Sequence, residues 1–285
     1  MFARKPRSQV HGLALEDDDN AVDCNVANNV NYIEIDDVAR VVGVDLGRKS
    51  TFTAVDSSEK VSSWSNEQWQ HESGTIEINR KLNVWKCALQ GFIYLEKHIP
   101  TTKSARHQQV TRNFVYIYNN LQTFSDFYFK TRHKRITMNT YIKRKKAMAK
   151  KVQSIAGKVK KTTAIAIGNP TFNHASKPYA SAPTIGIVKA LRRHHRVFLI
   201  DEYNTSKLCS KCHSQVESTT SKYNGELKEN YRVQICKNLP CIRTPEIGSP
   251  ARGCYWNRDV NAARNMIIKF NRKRFQQPEH GYART

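Results

Sequence analysis

The pattern of apolar and polar residues is strand-like in two stretches near residue 50. Arg40–Gly47 is a run of β-branched apolar residues, and Thr51–Asp56 alternates apolar with polar residues. We predict two paired strands there, joined by the short turn 48–50. Residues 57–77 are mostly polar, and the pattern places at most one further strand among them.

From about residue 78 to residue 161 the apolar positions recur every three or four residues, which is typical of helices. One predicted stripe on a single helical face consists of Val110, Phe114, Ile117, Leu121, Phe124 and Tyr128. The next stretch, Lys130–Lys161, has 13 basic residues and no acidic one. It predicts a long helix with one buried face and one strongly positive face.

Strands and helices alternate in the remainder of the chain. The predicted elements are, in order, strand Thr163–Gly168, loop 171–182, helix Pro183–His195, strand Arg196–Glu202 and helix Asp259–Phe270. Strands separated by helices predict an α/β core. Residues 205–255 have few periodic apolar positions, so we interpret them as an insertion before the last helix of that core.

Charge is distributed unevenly along the 285 residues, whose formal net charge is +23. Residues 1–37 hold three basic and eight acidic residues and predict a disordered acidic tail, whereas residues 127–200 hold 18 basic residues and no acidic one. A basic surface binds polyanions, and nucleic acid is the leading candidate because each phosphate contact releases counterions. The alternative is a solvated lysine-rich helical face. The basic residues predicted to bind nucleic acid are Lys143, Arg144, Lys145, Lys146, Lys150, Lys151 and Arg258.

Two classes of protein are excluded by the same sequence. No apolar run approaches the length of a membrane span, and the basic N-terminus has no apolar stretch behind it. We therefore expect neither a membrane protein nor a secreted one. The cluster 143–146 also fits a nuclear import signal, which is a weak pattern.

Five of the seven cysteines lie within residues 205–255. Two close pairs of thiolates suit a tetrahedral structural Zn²⁺ site that closes a small hairpin. The predicted ligands are Cys209, Cys212, Cys236 and Cys241. Cys254 is an alternative fourth ligand, because the second pair is more widely spaced than the first, and His213 is a further candidate. A disulfide framework would need an oxidising compartment, for which the sequence shows no export signal.

Three acidic residues lie where predicted elements begin or end: Asp45, Glu202 and Asp259. Each has an ordinary structural alternative, such as capping a turn, forming a salt bridge or opening a helix. Together they match the needs of phosphodiester cleavage, in which two divalent cations roughly 4 Å apart are held by shared carboxylate oxygens. We therefore predict a catalytic Mg²⁺ site formed by these three residues.

Three motifs occur in a defined order: VGVDLG around Asp45, TSK at 205–207 leading into the first cysteine pair, and NRDVNAARN at 257–265. Over about residues 40–270 the chain resembles the TnpB and Fanzor nucleases, which are transposon-associated RNA-guided DNA endonucleases related to type V CRISPR effectors. The resemblance implies an RNase H-like (RuvC) core with a long basic helical insertion and an inserted four-cysteine zinc ribbon. It also implies DNA and a guide RNA as partners, and it assigns Asp45 and Asp259 to the first and third catalytic acids.

The second acid departs from the TnpB pattern. TnpB has Glu after its central strand, where this chain has Asn169. The Fanzor branch is similar in this respect and uses a displaced Glu just ahead of its TSK motif, which corresponds to Glu202. Adjacent strand residues face opposite sides, so only one of Asp201 and Glu202 can face the metals. The similarity to Fanzor also implies a eukaryotic or large-virus source and a nuclear location.

The predicted domains are an acidic tail over 1–37, a nuclease core over 38–204 and 256–271 with a helical insertion at about 78–161, a zinc ribbon over 205–255 and a basic tail over 272–285. Full-length relatives carry wedge and recognition domains before the first RuvC motif, whereas about 40 residues precede Asp45 here. We therefore expect an N-terminally truncated relative. Two functions stay open: a metal-dependent DNA endonuclease, and a catalytically silent DNA- or RNA-binding remnant of a transposon protein. No small-molecule cofactor is expected.

Overall fold

The structure, a computed structural model, describes residues 38–103, 106–157, 162–168, 182–241, 253–278 and 281–282. The predicted acidic tail, nearly all of the loop over 171–182 and the last residues of the basic tail lie outside the described residues. The described chain forms two compact units, of which one is Gln70–Ala147 and the other consists of the described residues on either side of it.

A five-stranded sheet forms the centre of the second unit. Its strands are β1 (Arg40–Asp45), β2 (Ser50–Asp56), β3 (Val61–Ser65), β4 (Thr163–Gly168) and β5 (Arg196–Ile200). Their order is β3-β2-β1-β4-β5. The first three strands are antiparallel neighbours, whereas β1, β4 and β5 run parallel. The predicted strands are confirmed, but β5 ends two residues before its predicted end.

Helices cover both faces of this sheet. On one face the end of α6 (Thr131–Ala156) and α7 (Thr184–Arg192) contribute Ile155, Ile187 and Leu191 to a core with β1, β2 and β4. On the other face α8 (Arg258–Arg274) contributes Met266 and Phe270 to a second core. All six residues of β4 are buried, as expected for a central parallel strand covered on both sides. The α/β class is therefore confirmed.

The contact between α8 and the sheet is unusually close at Gly43. A Cβ atom at this position would lie 2.8 Å from Cγ1 of Ile267 and would overlap the carbonyl oxygen of Ala263. The helix can therefore approach β1 only because residue 43 has no side chain.

Helices build the unit over Gln70–Ala147. They are the end of α1 (Asn66–Glu72), then α2 (Thr75–Cys87), α3 (Phe92–Lys97), α4 (His107–Asn119), α5 (Leu121–Tyr128) and the first part of α6. Its core is an aromatic cluster of Phe92, Phe124, Phe127 and Tyr128.

The predicted stripe over residues 110–128 is wrong in one respect. Asn120 ends α4 and precedes α5, and its amide Nδ2 donates to the carbonyl of Tyr116. This break divides the stripe between two helices, so Phe124 is buried while Phe114 is 67% exposed and Leu121 is 45% exposed. The apolar period continued through the break, and periodicity alone cannot locate it.

A second, three-stranded antiparallel sheet lies between β5 and α8 in the chain. It consists of β6 (Glu217–Tyr223), β7 (Glu226–Cys236) and β8 (Cys254–Asn257), in the order β6-β7-β8. The predicted hairpin is β6–β7, whose turn is Asn224-Gly225 with φ of 50° and 83°. Two positive φ angles in a two-residue hairpin are what an Asn-Gly turn favours. None of the helices in the described part of the chain is long and apolar enough to cross a membrane.

Candidate functional site

Two of the three predicted acids end or follow parallel strands at one edge of the central sheet, and the third lies within electrostatic range of Asp45. Asp45 is the last residue of β1, and Glu202 follows the end of β5 by two residues. Because β1, β4 and β5 are parallel, their carboxyl ends share an edge, which is where α/β sheets bind ligands. Asp259 lies in the first turn of α8 and is close enough to act on the charge of Asp45.

Burial and mutual repulsion dominate the electrostatics of this edge. Burial, then the negative charges of Asp259 and Glu202, raise the pKa of Asp45 to about 8, although Arg258 opposes this rise. Burial and the neighbouring Asp201 raise the pKa of Glu202 to about 7. Oε1 of Glu202 is buried and has no hydrogen-bond partner among the described residues. Burial and neighbouring acids therefore outweigh the positive charge of Arg258 at Asp45, and a bound cation would relieve this repulsion.

A turn, rather than strand alternation, directs Glu202 to this edge. Since β5 ends at Ile200, neither Asp201 nor Glu202 belongs to the strand, and the expected alternation does not apply to them. Oδ1 of Asp201 accepts a hydrogen bond from the backbone N–H of Tyr203 at 3.1 Å. The carboxyl group of Glu202 lies against Gly168 at the end of β4, where a Cβ atom would overlap it.

The first turn of α8 fixes the position of Asp259. Asn257 caps this helix, and its Oδ1 accepts hydrogen bonds from the backbone N–H groups of Asp259 at 3.0 Å and Val260 at 3.3 Å. The capping role considered for Asp259 thus belongs to Asn257. Asp259 keeps the first-turn position, where the helix dipole favours a negative charge.

A cavity of about 170 Å³ contains Asp45 and Asp259 together with basic side chains. The basic residues that line it are Arg48, Lys49, Arg232 and Arg258. Arg48 and Lys49 lie in the short turn predicted between the first two strands, and of these four only Arg258 is among the residues predicted to bind nucleic acid. No motif or spacing marks Arg232, which comes from β7 and lines the cavity only because the second sheet folds back over it. In such a cavity the basic side chains can bind the phosphate of a phosphodiester, and the carboxylates can bind metal ions beside it.

Four cysteines form the second cluster. Their sulfur atoms all lie within 4.8 Å of one another. Sγ of Cys209 is 3.7 Å from that of Cys241, and Sγ of Cys212 is 3.5 Å from that of Cys236. A tetrahedral Zn²⁺ with Zn–S bonds of about 2.3 Å separates its sulfurs by about 3.8 Å. The donor set and its spacing therefore fit a metal ion of this kind.

Local backbone hydrogen bonds present these sulfurs to one point. The N–H of Cys209 donates to the carbonyl of Ser214 at 2.8 Å, and the N–H of His213 donates to the carbonyl of Cys209 at 2.8 Å, with His213 at φ 61°. Burial raises the pKa of the Cys236 thiol to about 11 and that of Cys241 above its usual range. Buried thiols resist ionisation without a cation, so metal binding there would release protons.

The two alternative ligands lie outside this cluster of sulfurs. Cys254 faces Cys236 across the β7–β8 ladder and packs against the cluster without joining its four-sulfur group. Nδ1 of His213 lies 3.1 Å from the hydroxyl of Tyr282. Across the described ranges, these four cysteines are the only group of three or more His, Cys, Asp or Glu side chains close enough for one ion, and the three carboxylates do not form such a group.

Most of the basic residues predicted to bind nucleic acid lie on the surface of α6. Lys145, Lys146 and Lys150 are exposed, as are Arg144 and Lys143, although Nζ of Lys143 pairs with a carboxylate oxygen of Glu77 at 2.5 Å.

Lys151 is a correction, because its side chain is fully buried. Its Nζ lies 5.8 Å from the ring centre of Phe52, 5.2 Å from Trp64 and 4.9 Å from Trp69. Since a buried ammonium cannot contact a phosphate at the surface, its contribution is to the packing of the core. A run of basic residues on a helix does not show which of them faces inward.

The comparisons with known proteins agree with the motifs. The family model for the Cas12f1-like TNB domain matches residues 187–266, which run from α7 to α8 and include Glu202, the four cysteines and Asp259. A solved structure, the "Cryo-EM structure of the Cas12f1-sgRNA-target DNA complex", is similar at 18% identity with a TM-score of 0.35, over 80% of this chain and 38% of that chain. The chain thus spans less than two fifths of the length of that relative. A search of curated protein sequences gave no match. The domain match confirms the resemblance to TnpB- and Cas12-type proteins.

Proposed function

Proceeding from this resemblance to TnpB- and Cas12-type proteins, we propose that the chain carries the core of a metal-dependent DNA endonuclease with an RNase H-like (RuvC) fold. The observation that carries the proposal is the placement of Asp45 and Glu202 at the carboxyl edge of the central sheet, with Asp259 and Glu202 both within electrostatic range of Asp45. These three acids are far apart in the sequence, so the tertiary fold is what brings Glu202 and Asp259 near Asp45. Structural salt bridging does not explain this grouping, because each acid has another acid as a neighbour.

Asp45, Glu202 and Asp259 would hold two Mg²⁺ ions. When bound, these ions would supply an activated water and stabilise the leaving oxygen of a phosphodiester. The raised pKa values of Asp45 and Glu202 fit this role, since a nearby cation would favour the ionised carboxylates that burial and repulsion disfavour. Arg232, Arg258 and their neighbours in the cavity would bind and orient the negatively charged strand.

We propose a structural Zn²⁺ in the four-cysteine cluster. Its function would be to fold the second sheet, because the sheet has few buried apolar residues apart from those packed around the cysteines. In such small domains the free energy of metal binding is free energy of folding. The ion would therefore keep β7, and with it Arg232, over the carboxylate edge.

DNA as substrate, with a guide RNA, is the partner set that we propose. The exposed basic face of α6 supports nucleic acid as a partner, because phosphate contacts of Lys and Arg supply most of the non-specific affinity for polynucleotides. The solved relative was determined with a guide RNA and target DNA. Nuclear location remains part of the same proposal.

The test is cleavage of labelled single- and double-stranded DNA by the purified full chain with Mg²⁺ or Mn²⁺. We expect metal-dependent cleavage that falls by more than about 100-fold in Asp45→Asn, since even outer partners of metal ligands are worth 10- to 100-fold. Asp126→Asn, which removes the same charge from the exposed surface of α5, is the matched control and should cleave at the wild-type rate.

Two results would overturn the proposal. Equal cleavage by Asp45→Asn and the wild type would mean that these carboxylates are not the catalytic site. Saturating binding of DNA by the wild type without cleavage at any Mg²⁺ or Mn²⁺ concentration would instead favour the silent nucleic-acid-binding protein.

A further inference from the structure

Three polar side chains occur at intervals of four residues on the buried side of α8: Asn261, Asn265 and Lys269. Asn261 and Asn265 are fully buried and Lys269 is 1% exposed. Burying polar groups costs free energy unless they are hydrogen-bonded. The hydrogen-bond partners of these three side chains therefore show which part of the chain they hold in position.

Asn261 bonds to the backbone around the first cysteine of the cluster. Its Nδ2 donates to the carbonyl of Leu208 at 2.7 Å, and its Oδ1 accepts from the N–H of Ser210 at 2.9 Å. Leu208 and Ser210 flank Cys209 on either side. One amide thus fixes the backbone on both sides of a metal ligand.

Asn265 and Lys269 bond to the part of the same loop that lies closer in sequence to Glu202. Nδ2 of Asn265 donates to the carbonyls of Thr205 at 2.6 Å and Leu208 at 2.7 Å. Nζ of Lys269 lies 3.3 Å from the carbonyl of Tyr203. The loop over residues 203–210 is therefore bonded to α8 at four carbonyl or N–H groups along its length.

Tyr282 completes this network from the far end of the chain. Its hydroxyl donates to Oδ1 of Asn265 at 2.7 Å and lies 3.1 Å from Nδ1 of His213, while its carbonyl lies 3.3 Å from Nζ of Lys269. The side chain is 1% exposed. Tyr282 therefore contacts both α8 and the imidazole of His213, which directly follows the first cysteine pair.

We propose that Asn261, Asn265 and Lys269, clamped by Tyr282, are positioning residues that set the separation of Glu202 from Asp259. Glu202 comes immediately before the loop that these side chains hold, and Asp259 lies two residues before Asn261 on the same helix. The hydrogen bonds described above connect these four residues to the loop, to His213 and to one another. Because the loop also contains Cys209, the same bonds connect the cysteine cluster to the carboxylate edge. The inference rests on the proposed function, since it concerns the same metal site.

Tyr282→Phe is the sharpest perturbation of this network. It deletes one hydroxyl and keeps the ring, so the packing of Lys269 and Arg272 over that ring is preserved. Tyr255→Phe makes the same change on an exposed side chain of β8 and is the matched control. Asp45→Asn is measured as well, because its loss of Mn²⁺ affinity shows how much of the binding depends on the carboxylates.

Three quantities are measured on each full-length variant: zinc per chain, Mn²⁺ affinity by electron paramagnetic resonance, and exchange of the Ser210 amide hydrogen. In Tyr282→Phe we expect unchanged zinc, a Mn²⁺ dissociation constant raised about ten-fold, as for outer partners of metal ligands, and faster exchange at Ser210. Tyr255→Phe should match the wild type in all three.

Unchanged Mn²⁺ affinity in Tyr282→Phe would overturn the proposal even if its thermal stability fell, because the residue would then be only structural. Failure of the proposed function has a different signature: Asp45→Asn would bind Mn²⁺ as tightly as the wild type. In that case exchange of the Ser210 amide hydrogen is the measurement that tests whether Tyr282 holds the loop through α8. Faster exchange in Tyr282→Phe supports it, and wild-type exchange refutes it.

Discussion

Gly168→Ala tests the position of Glu202 without altering any charged residue. Gly168 ends β4, a strand buried on both faces, and the carboxyl group of Glu202 lies directly against it. A Cβ atom there would lie 2.9 Å from both Cγ and Cδ of Glu202 and would overlap Oε1. The central strand has no room to retreat, so the methyl group must displace the glutamate.

The expected magnitude follows from these distances. Ordinary carbon contacts lie between 3.4 and 4 Å, so the carboxyl group of Glu202 must move by roughly 0.5–1 Å. A misplacement of 1 Å in a reacting group costs about 100-fold in rate. Overpacking of a core typically costs about 1–3 kcal/mol, so the protein should remain folded. We therefore expect cleavage to fall by about 10- to 100-fold with a modest drop in Tm.

The assay combines Mn²⁺-dependent DNA cleavage with thermal denaturation. Gly186→Ala is the control, because it lies in α7, where its nearest neighbour is the flexible end of Met148 at 3.3 Å, and Ala should gain up to about 1 kcal/mol in a helix. A double variant with Glu202→Asp withdraws the carboxyl group by one methylene. It should recover part of the activity lost in Gly168→Ala, giving a coupling between the two sites.

Wild-type cleavage by Gly168→Ala, combined with an inactive Glu202→Gln, would refute the reasoning, because the glutamate would then work without its observed position. Additive losses in the double variant would also contradict the contact. A loss of activity that follows only the unfolded fraction would assign the effect to stability.

Three further predictions concern separate parts of the molecule. Burial raises the pKa of Asp56, but hydrogen bonds from Ser58, Arg40 and Lys60 outweigh burial and lower this pKa to about 2. The ionised carboxylate therefore stabilises the fold above about pH 4, and this stabilisation is lost as the pH falls toward 2. Asp56→Asn should cost about 1–2 kcal/mol in urea denaturation at pH 7 and much less at pH 2, and an equal cost at both would contradict this. Cys212→Ser should lose zinc, whereas Cys254→Ser should retain it, as measured by zinc per purified chain; zinc loss in both would restore Cys254 as a ligand. Lys146→Gln should weaken DNA binding and reduce the number of counterions released on binding by about one, because this side chain is exposed. Lys151→Met should mainly alter the Tm, because this side chain is buried. A larger loss of DNA affinity in Lys151→Met than in Lys146→Gln would place the binding face elsewhere.

Features of this protein that depend on local patterns could be predicted from its amino-acid sequence. The centres of β1 and β4 are uninterrupted apolar runs, so their burial on both faces could be predicted from the sequence. The spacing of Cys209 and Cys212 requires only a tight turn to bring two sulfurs together. Motif order was sufficient to indicate the TnpB- and Cas12-type resemblance, and the domain match over residues 187–266 supports it.

Which residues share a site depends on long-range packing and could not be predicted from local patterns. The sequence favoured Cys241 through its closeness to Cys236 but left Cys254 open, and the folded chain after β7 brings Cys241 into the group of four sulfurs. Lys151 belongs to a basic run, yet helix geometry and three aromatic rings place it in the core. The break at Asn120 has the same origin, because an apolar period can cross a helix end.

The carboxylate edge shows the division most clearly. The sequence supplied Asp45, Glu202 and Asp259 as ends of elements, but their proximity depends on parallel pairing of β1, β4 and β5 and on the approach of α8 over Gly43. Arg232 and Tyr282 carry no local signal, because each reaches its partners through contacts distant in sequence. Local patterns encode which elements form, whereas long-range packing decides which side chains those elements bring together.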